Sequence, residues 1–178
     1  MRVIGGTLKG RRFLAPKQIP ARPTTDYAKE SLFNMLGNRI LWGETSFLDL
    51  FSGIGSISLE AISRGAQQVT SVDTSFAAIK WYQQLQREFE IKNWQALKQD
   101  AFKWLKQNDK QFDLVFADPP YDSPFYNELI EQIISTKLTD DGLFVLEHRK
   151  SDSFATHPHF ESERHYGEVK FTFFTKEN

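Results

Sequence analysis

Asp118-Pro119-Pro120-Tyr121 is the string in this chain with the clearest chemical content. Consecutive prolines fix the backbone in an extended, rigid turn. The Asp118 carboxylate and the Pro119 carbonyl become preset acceptors, and Tyr121 adds a flat aromatic face. Two acceptors beside one planar surface suit a planar amine, such as a nucleobase NH2. A second candidate is Asp49-Leu50-Phe51-Ser52-Gly53-Ile54-Gly55-Ser56. Its glycines let backbone pack closely on a ligand, and the helix that follows presents free N–H groups. The dinucleotide fingerprint G-x-G-x-x-G would need glycine at position 58, where Ser58 stands, and the Gly-Lys-Ser/Thr ending of a Walker loop is absent. A ligand with an amino-acid portion and a nucleoside fits better than a pyrophosphate. Asp73, eighteen residues beyond Gly55, can accept both hydroxyls of a ribose. Asp73-Thr74-Ser75 also reads as a helix cap, and both roles can hold together. In Asp100-Ala101-Phe102 the carboxylate could bind an adenine amine while Phe102 packs near the ring; an N-cap is the competing reading. Glu147 ends another apolar run, where a ligand-facing role and a structural pairing both remain open. The histidines (His148, His157, His159, His165) show no metal-ligand spacing with nearby acids, and no metal is expected.

These residues share one habit: most directly follow an apolar run. Residues 46–51, 68–72, 95–98, 112–117 and 143–147 read as strands, the third only weakly apolar. Helical spacing fills 56–64, 75–90, 101–108 and 124–136 between them. A helix is predicted from Thr25 to Ile40, capped by Thr25 or Asp26 and ending near Gly37 or Gly43. Residues 160–165 and 169–175 form a closing hairpin around Gly167. The first 24 residues, punctuated by Gly5-Gly6, Gly10, Pro16, Pro20 and Pro23, read as a short β-hairpin or extended arm ahead of a domain over 25–178. Strands alternating with helices imply a parallel sheet covered on both faces, and right-handed crossovers make it doubly wound. The expected fold is α/β and Rossmann-like: seven strands, mostly parallel, with a C-terminal antiparallel hairpin. Ligands in such sheets bind beyond the carboxyl ends of the strands, where Gly53, Asp73, Asp100 and Asp118 fall.

Composition narrows the class. The chain has 178 residues, 40% of them hydrophobic, enough for one domain with a real core. It has no Cys, which excludes disulfides, thiolate metal sites and a cysteine nucleophile. No apolar run is long enough to span a bilayer, and Met1-Arg2-Val3-Ile4-Gly5-Gly6 lacks the apolar stretch of a signal peptide, so a cytoplasmic location is expected. The net charge of −1 hides an asymmetry: residues 1–30 carry +5 and the remainder −6. Such a split suggests a polyanion contact at the basic end, against the alternative of a solvated tail.

Together, the 49–55 loop, Asp73, Asp100 and the Asp-Pro-Pro-Tyr turn resemble the class I S-adenosylmethionine-dependent methyltransferases that modify exocyclic amines. Met1-Arg2-Val3-Ile4-Gly5-Gly6, Gly10-Arg11-Arg12, Arg22-Pro23-Thr24-Thr25-Asp26 and Leu59-Glu60-Ala61-Ile62-Ser63-Arg64-Gly65-Ala66 are similar to the RsmD family, the bacterial 16S rRNA (guanine-N2)-methyltransferases. The resemblance runs over essentially the whole chain. One departure is Asp73, where the family commonly has Glu; the carboxylate is kept, one methylene shorter.

The resemblance implies S-adenosylmethionine as cofactor, held by Asp49, Phe51, Ser52, Gly53, Gly55, Asp73, Thr74, Asp100, Ala101, Phe102 and Asp118. It implies a catalytic turn of Asp118, Pro119, Pro120 and Tyr121. RNA contacts fall to Arg2, Lys9, Arg11, Arg12, Arg22 and Thr24. The implied substrate is 16S rRNA in the small ribosomal subunit or an assembly intermediate of it, and a monomer is expected. Two other readings compete. DNA adenine-N6 or cytosine-N4 methyltransferases share the Asp-Pro-Pro-Tyr turn, but this length leaves no room for a target-recognition domain. A non-catalytic RNA-binding assembly protein would not need Asp49, Gly53, Gly55, Asp73 and Asp118 intact.

Overall fold

The computed structural model describes residues 1–19, 24–121 and 123–176. Helix α1 (Asp26–Gly37) starts where the Thr25 hydroxyl accepts the Ala28 N–H at 3.2 Å. Strands and helices then alternate as β1 (Ser46–Leu50), α2 (Ser56–Ser63), β2 (Gln68–Asp73), α3 (Phe76–Glu88), β3 (Trp94–Lys98), α4 (Ala101–Gln107), β4 (Phe112–Ala117), α5 (Tyr126–Thr136) and β5 (Leu138–Arg149). The antiparallel pair β6 (Phe160–Tyr166) and β7 (Val169–Thr175) closes the chain. All seven strands form one sheet in the order β3-β2-β1-β4-β5-β7-β6, parallel through β5 and antiparallel beyond it. This is the expected architecture. The chain runs outward from β1 to β3, then returns to the other side of β1 as β4. The switch point therefore lies between β1 and β4, where such folds bind ligands.

The two sheet faces bury separate cores. One packs Phe33, Phe47, Tyr82, Leu85, Phe116 and Phe171; the other packs Leu48, Leu50, Trp104, Phe112, Ile130 and Ile133. Strands β1 and β4 are buried on both faces, hence their continuous apolar runs. The weak third strand has an equally plain cause. It is an edge strand, and only Trp94 in it is fully buried. Strand β5 starts earlier than expected because residues 139–142 bulge out between the Phe112–Leu138 and Leu114–Leu143 pairs.

The N-terminal segment makes one isolated antiparallel bridge, Arg2 to Arg12, rather than a regular hairpin. Its separation as an arm at residue 24 is not reflected in its packing. Val3, Phe13 and Ile19 are buried in the first core. Glu60 on α2, fully buried, accepts the Ile4 and Gly5 N–H groups at 2.8 Å each. It also accepts Arg64 Nε at 3.0 Å and lies 3.9 Å from the buried Lys29 ammonium. Lys29 in turn donates to the Arg2 carbonyl at 2.6 Å. The Ser63 carbonyl accepts the Thr7 N–H at 2.7 Å. Gly6 has a φ of +74°, and a Cβ there would meet that carbonyl oxygen at 1.7 Å, so only glycine fits.

Candidate functional site

A cavity of about 410 Å³ opens at the switch point, bounded by the loop after β1, the end of β2 and the turn after β4. Its lining includes Asp49, Phe51, Ser52, Gly53, Asp73, Thr74, Asp118, Pro119, Pro120 and Tyr121, all expected from the sequence.

The glycine loop is strained and braced. Phe51 has a φ of +59°, a left-handed conformation unusual for a bulky residue. Below the loop, the Tyr82 hydroxyl donates to the Gly53 carbonyl at 2.5 Å, and Trp81 Nε1 donates to the Ile54 carbonyl at 3.2 Å. Gly55 (φ +73°) packs on this platform; a Cβ there would come within 2.6 Å of Tyr82. Gly55 thus shapes the loop from beneath and does not line the cavity. Asp73 accepts the Gly53 N–H and the Ser75 N–H at 2.8 Å each. Both carboxylate oxygens keep a lone pair for hydroxyl donors. Ser75, not Asp73, caps α3.

Asp49 sits at the floor and is 1% exposed. Ser58 donates to it from both N–H and hydroxyl. A chain of hydroxyls continues behind: Trp94 Nε1 donates to Ser71 Oγ at 2.7 Å, and Ser71 lies 2.6 Å from Ser58 Oγ. The serine that breaks the dinucleotide fingerprint therefore anchors an acid, a role that no local pattern reveals.

Asp49, Asp118 and Glu147 come from three adjacent strands and face the same side of the sheet. The register pairs Asp49 with Phe116 and Ala117 with Leu146, so Asp118, just past β4, stands beside Glu147 in β5. Burial pushes the Asp49 carboxyl up to about 7 against the pull of its Ser58 bonds. Burial and the neighbouring Glu147 hold Asp118 well above the usual carboxylate range, and burial raises Glu147. Acids with raised folded-state values bind more protons folded than unfolded from about pH 4 to 7, so stability falls as pH rises through that window. The ligand-free protein is expected to melt higher at pH 5.5 than at pH 8. Asp49 alone contributes about 2 kcal/mol of that difference, roughly 4–8 °C. Melting curves should show a smaller difference for Asp49→Asn; an equal or reversed slope would refute the assignment.

Other expected residues lie elsewhere. Asp100 caps α4 by accepting the Lys103 N–H at 3.0 Å, and neither it, Ala101 nor Phe102 lines the cavity. Phe102 reaches the site only through the edge of Phe51, 6.2 Å between centroids. Thr24, expected among RNA contacts, lines the cavity and donates to Glu147 at 2.8 Å. Lys9, Arg11 and Arg12 are exposed, with Arg11 over the Phe89 ring. Arg2 pairs with Asp26 at 3.5 Å, and with Lys29 buried the free basic charge is smaller than the sequence count. Arg22 lies outside the described residues. Arg149 went unnoticed in the sequence; its guanidinium lies over Tyr121, 5.3 Å from the ring centroid. Its one signal was a basic residue two places past Glu147, on the same strand face. Among the described residues no group of three or more His, Asp or Glu is placed to hold a metal, and no helix is long and apolar enough to cross a membrane.

A family model described as "Conserved hypothetical protein 95" matches residues 1–175. YlbH of Bacillus subtilis (strain 168) is 39% identical over 153 residues, covering 83% of this chain and 82% of that protein. Ribosomal RNA small subunit methyltransferase D of Escherichia coli (strain K12) is 29% identical, covering 99% of this chain and 90% of that protein. The solved structure of yhhF from Escherichia coli superposes with a TM-score of 0.87 at 29% identity, covering 99% of this chain and 98% of that one.

Proposed function

The chain belongs to the RsmD family, that of the ribosomal RNA small subunit methyltransferase D proteins, and from that membership we propose that it methylates the exocyclic N2 amine of a guanine in 16S rRNA of the small ribosomal subunit, with S-adenosylmethionine as methyl donor. The observation that carries the reading is the meeting, in one cavity, of a nucleoside-type pocket and an amine clamp. Gly53 and Asp73 line one end, Asp118, Pro119 and Tyr121 the other.

The residues present fit the cofactor. Asp73 would take the ribose hydroxyls, and the open loop at Ser52–Gly53 the amino-acid portion, with Asp49 beneath as counter-charge. When bound, S-adenosylmethionine supplies an electrophilic methyl group on a sulfonium. The protein's own work is at the amine. Guanine N2 is a poor nucleophile because its lone pair is delocalised into the ring. Asp118 and the Pro119 carbonyl accept its two N–H bonds, which favours a pyramidal nitrogen and stabilises the positive charge that develops there. Holding that nitrogen in line is worth up to about 7–11 kcal/mol. The raised affinity of Asp118 for protons suits it to take the surplus proton from the methylated nitrogen. Tyr121, backed by Arg149, stacks on a base splayed out of the RNA, worth about 1–3 kcal/mol.

Mass spectrometry of rRNA from cells with and without this gene tests the reading directly. Loss of one N2-methylguanine from 16S rRNA is expected; an unchanged methylation map would refute it. Lys9, Arg11 and Arg12 are exposed on the clamped segment and would contact phosphates, which position RNA without reading its sequence. Arg11→Ala with Arg12→Ala should weaken RNA binding and reduce its log–log salt slope by about 1–2. An unchanged slope would remove this segment from the interface.

A further inference from the structure

Glu147 takes no part in that chemistry, yet its placement is costly. It is 2% exposed, and burying a carboxylate is unfavourable unless its oxygens are paired. Among the described residues its side chain hydrogen-bonds to Thr24 alone, whose hydroxyl donates to Oε2 at 2.8 Å. Oε1 is left for another donor. Thr24 and Asp118 both line the cavity, and Glu147 follows Leu146 exactly as Asp118 follows its register partner Ala117. Glu147, within β5, therefore lies beside Asp118, the residue that follows β4, about 4.8 Å away in main chain, and the two face the same way.

We propose that Glu147 selects guanine, by accepting the N1–H of the base whose N2 amine is held at Asp118 and Pro119. This rests on the guanine-N2 reading and deepens it. Two adjacent carboxylates offer acceptors to two adjacent donors. Guanine carries a ring N–H beside its exocyclic amine. Adenine and cytosine carry a bare, lone-pair-bearing ring nitrogen beside theirs, which Glu147 repels in its ionised form; burial raises its value to about 7, so the discrimination is read at pH 8, where that form predominates. Uracil has the ring N–H but no amine. A site built to receive a donor discriminates strongly against an analogue without it, because its own buried acceptor is then left unpaired. Thr24, which lines the cavity where Glu147 itself does not, occupies Oε2 and leaves Oε1 as the oxygen free to accept.

The test uses small subunits reconstituted on ligated rRNA whose methylated guanosine is replaced by 2-aminopurine riboside. That base keeps the N2 amine but has a bare N1. The wild-type protein should prefer guanosine in kcat/KM by roughly 10–100-fold. Glu147→Gln, whose amide can donate to a bare N1, should reduce that preference to within about threefold. Glu147→Ala, which only removes the acceptor, should flatten it as well. S-adenosylhomocysteine should raise the melting temperature of both variants as it does the wild type, which separates the effect from misfolding. A guanosine preference that survives in either variant, or is absent from the wild type, overturns the proposal. A wild-type protein that fails to methylate the guanosine subunits overturns the guanine-N2 reading, and this inference with it.

Discussion

Asp118→Ala is expected to lower methyl transfer by at least about 10²–10³-fold, while S-adenosylhomocysteine still raises the melting temperature. The two readouts separate because the cavity has two ends. The cofactor end is built on Gly53, Asp73 and the Tyr82 platform. None of these depends on the Asp118 side chain, whose backbone N–H alone is tied to the sheet, through Leu50. Stability should not suffer either. Asp118 is a half-buried acid crowded by Glu147 and Asp49, so its removal relieves repulsion in the ligand-free state. Asp118→Asn keeps one acceptor oxygen without the charge, and its activity should fall between the two. Retained turnover in Asp118→Ala would remove this residue from the mechanism. Loss of the melting shift would show that it holds the cofactor instead.

Glu60→Ala should be the most damaging substitution away from the cavity. One fully buried carboxylate serves two backbone N–H groups of the N-terminal segment, the Arg64 guanidinium and the Lys29 ammonium. Removing one partner of a buried ion pair costs about 3–5 kcal/mol, because the other charge is left uncompensated. In a chain of this length that is a fall of roughly 6–20 °C in melting temperature. Lys29 is already pushed below its ordinary value by burial, with Glu60 the main opposing influence. Lys29→Met added to Glu60→Ala should therefore recover part of the loss, since no orphan charge remains. The single variant should also become cleavable at Arg11 and Arg12, which leave the surface of the fold with the released segment. A melting temperature within 2 °C of wild type would show that the segment is held by its buried Val3 and Phe13 instead.

The two predictions differ in how visible their residues were. Asp118 announces itself, because consecutive prolines have few uses and this pair follows an apolar strand. The sheet was legible for the same local reason: β1, β2, β4 and β5 each read as an apolar run between turn signals. Even β3, marginal as an apolar run, owes its weakness to lying at the edge. Glu60 gives no such signal. In the sequence it is a charge on a short helix with an ordinary i,i+4 partner in Arg64, indistinguishable from a solvated pair, and its other partners lie 31 and more than 50 residues away. Ser58 reads as a failed glycine until Asp49 is seen beside it. Thr24 reads as part of a basic segment until Glu147 is found against it. Asp100 shows the converse: its capping role is local, was open from the sequence, and is the role the fold adopts. Charge counting is limited for a related reason, since it cannot see that Lys29 is buried and Arg2 already paired.

Helix α2 joins the two ends of this molecule's business. Its first residue, Ser56, lines the cavity. Its last, Ser63, grips Gly5, Thr7 and Leu8. Eight residues of helix make a rod of about 12 Å. Two ligands that press on opposite ends of one rod are bound by reciprocity. If the cofactor tightens the segment's hold on RNA tenfold, RNA must tighten the hold on cofactor tenfold. A single short helix would then make the affinity at each end depend on what is bound at the other.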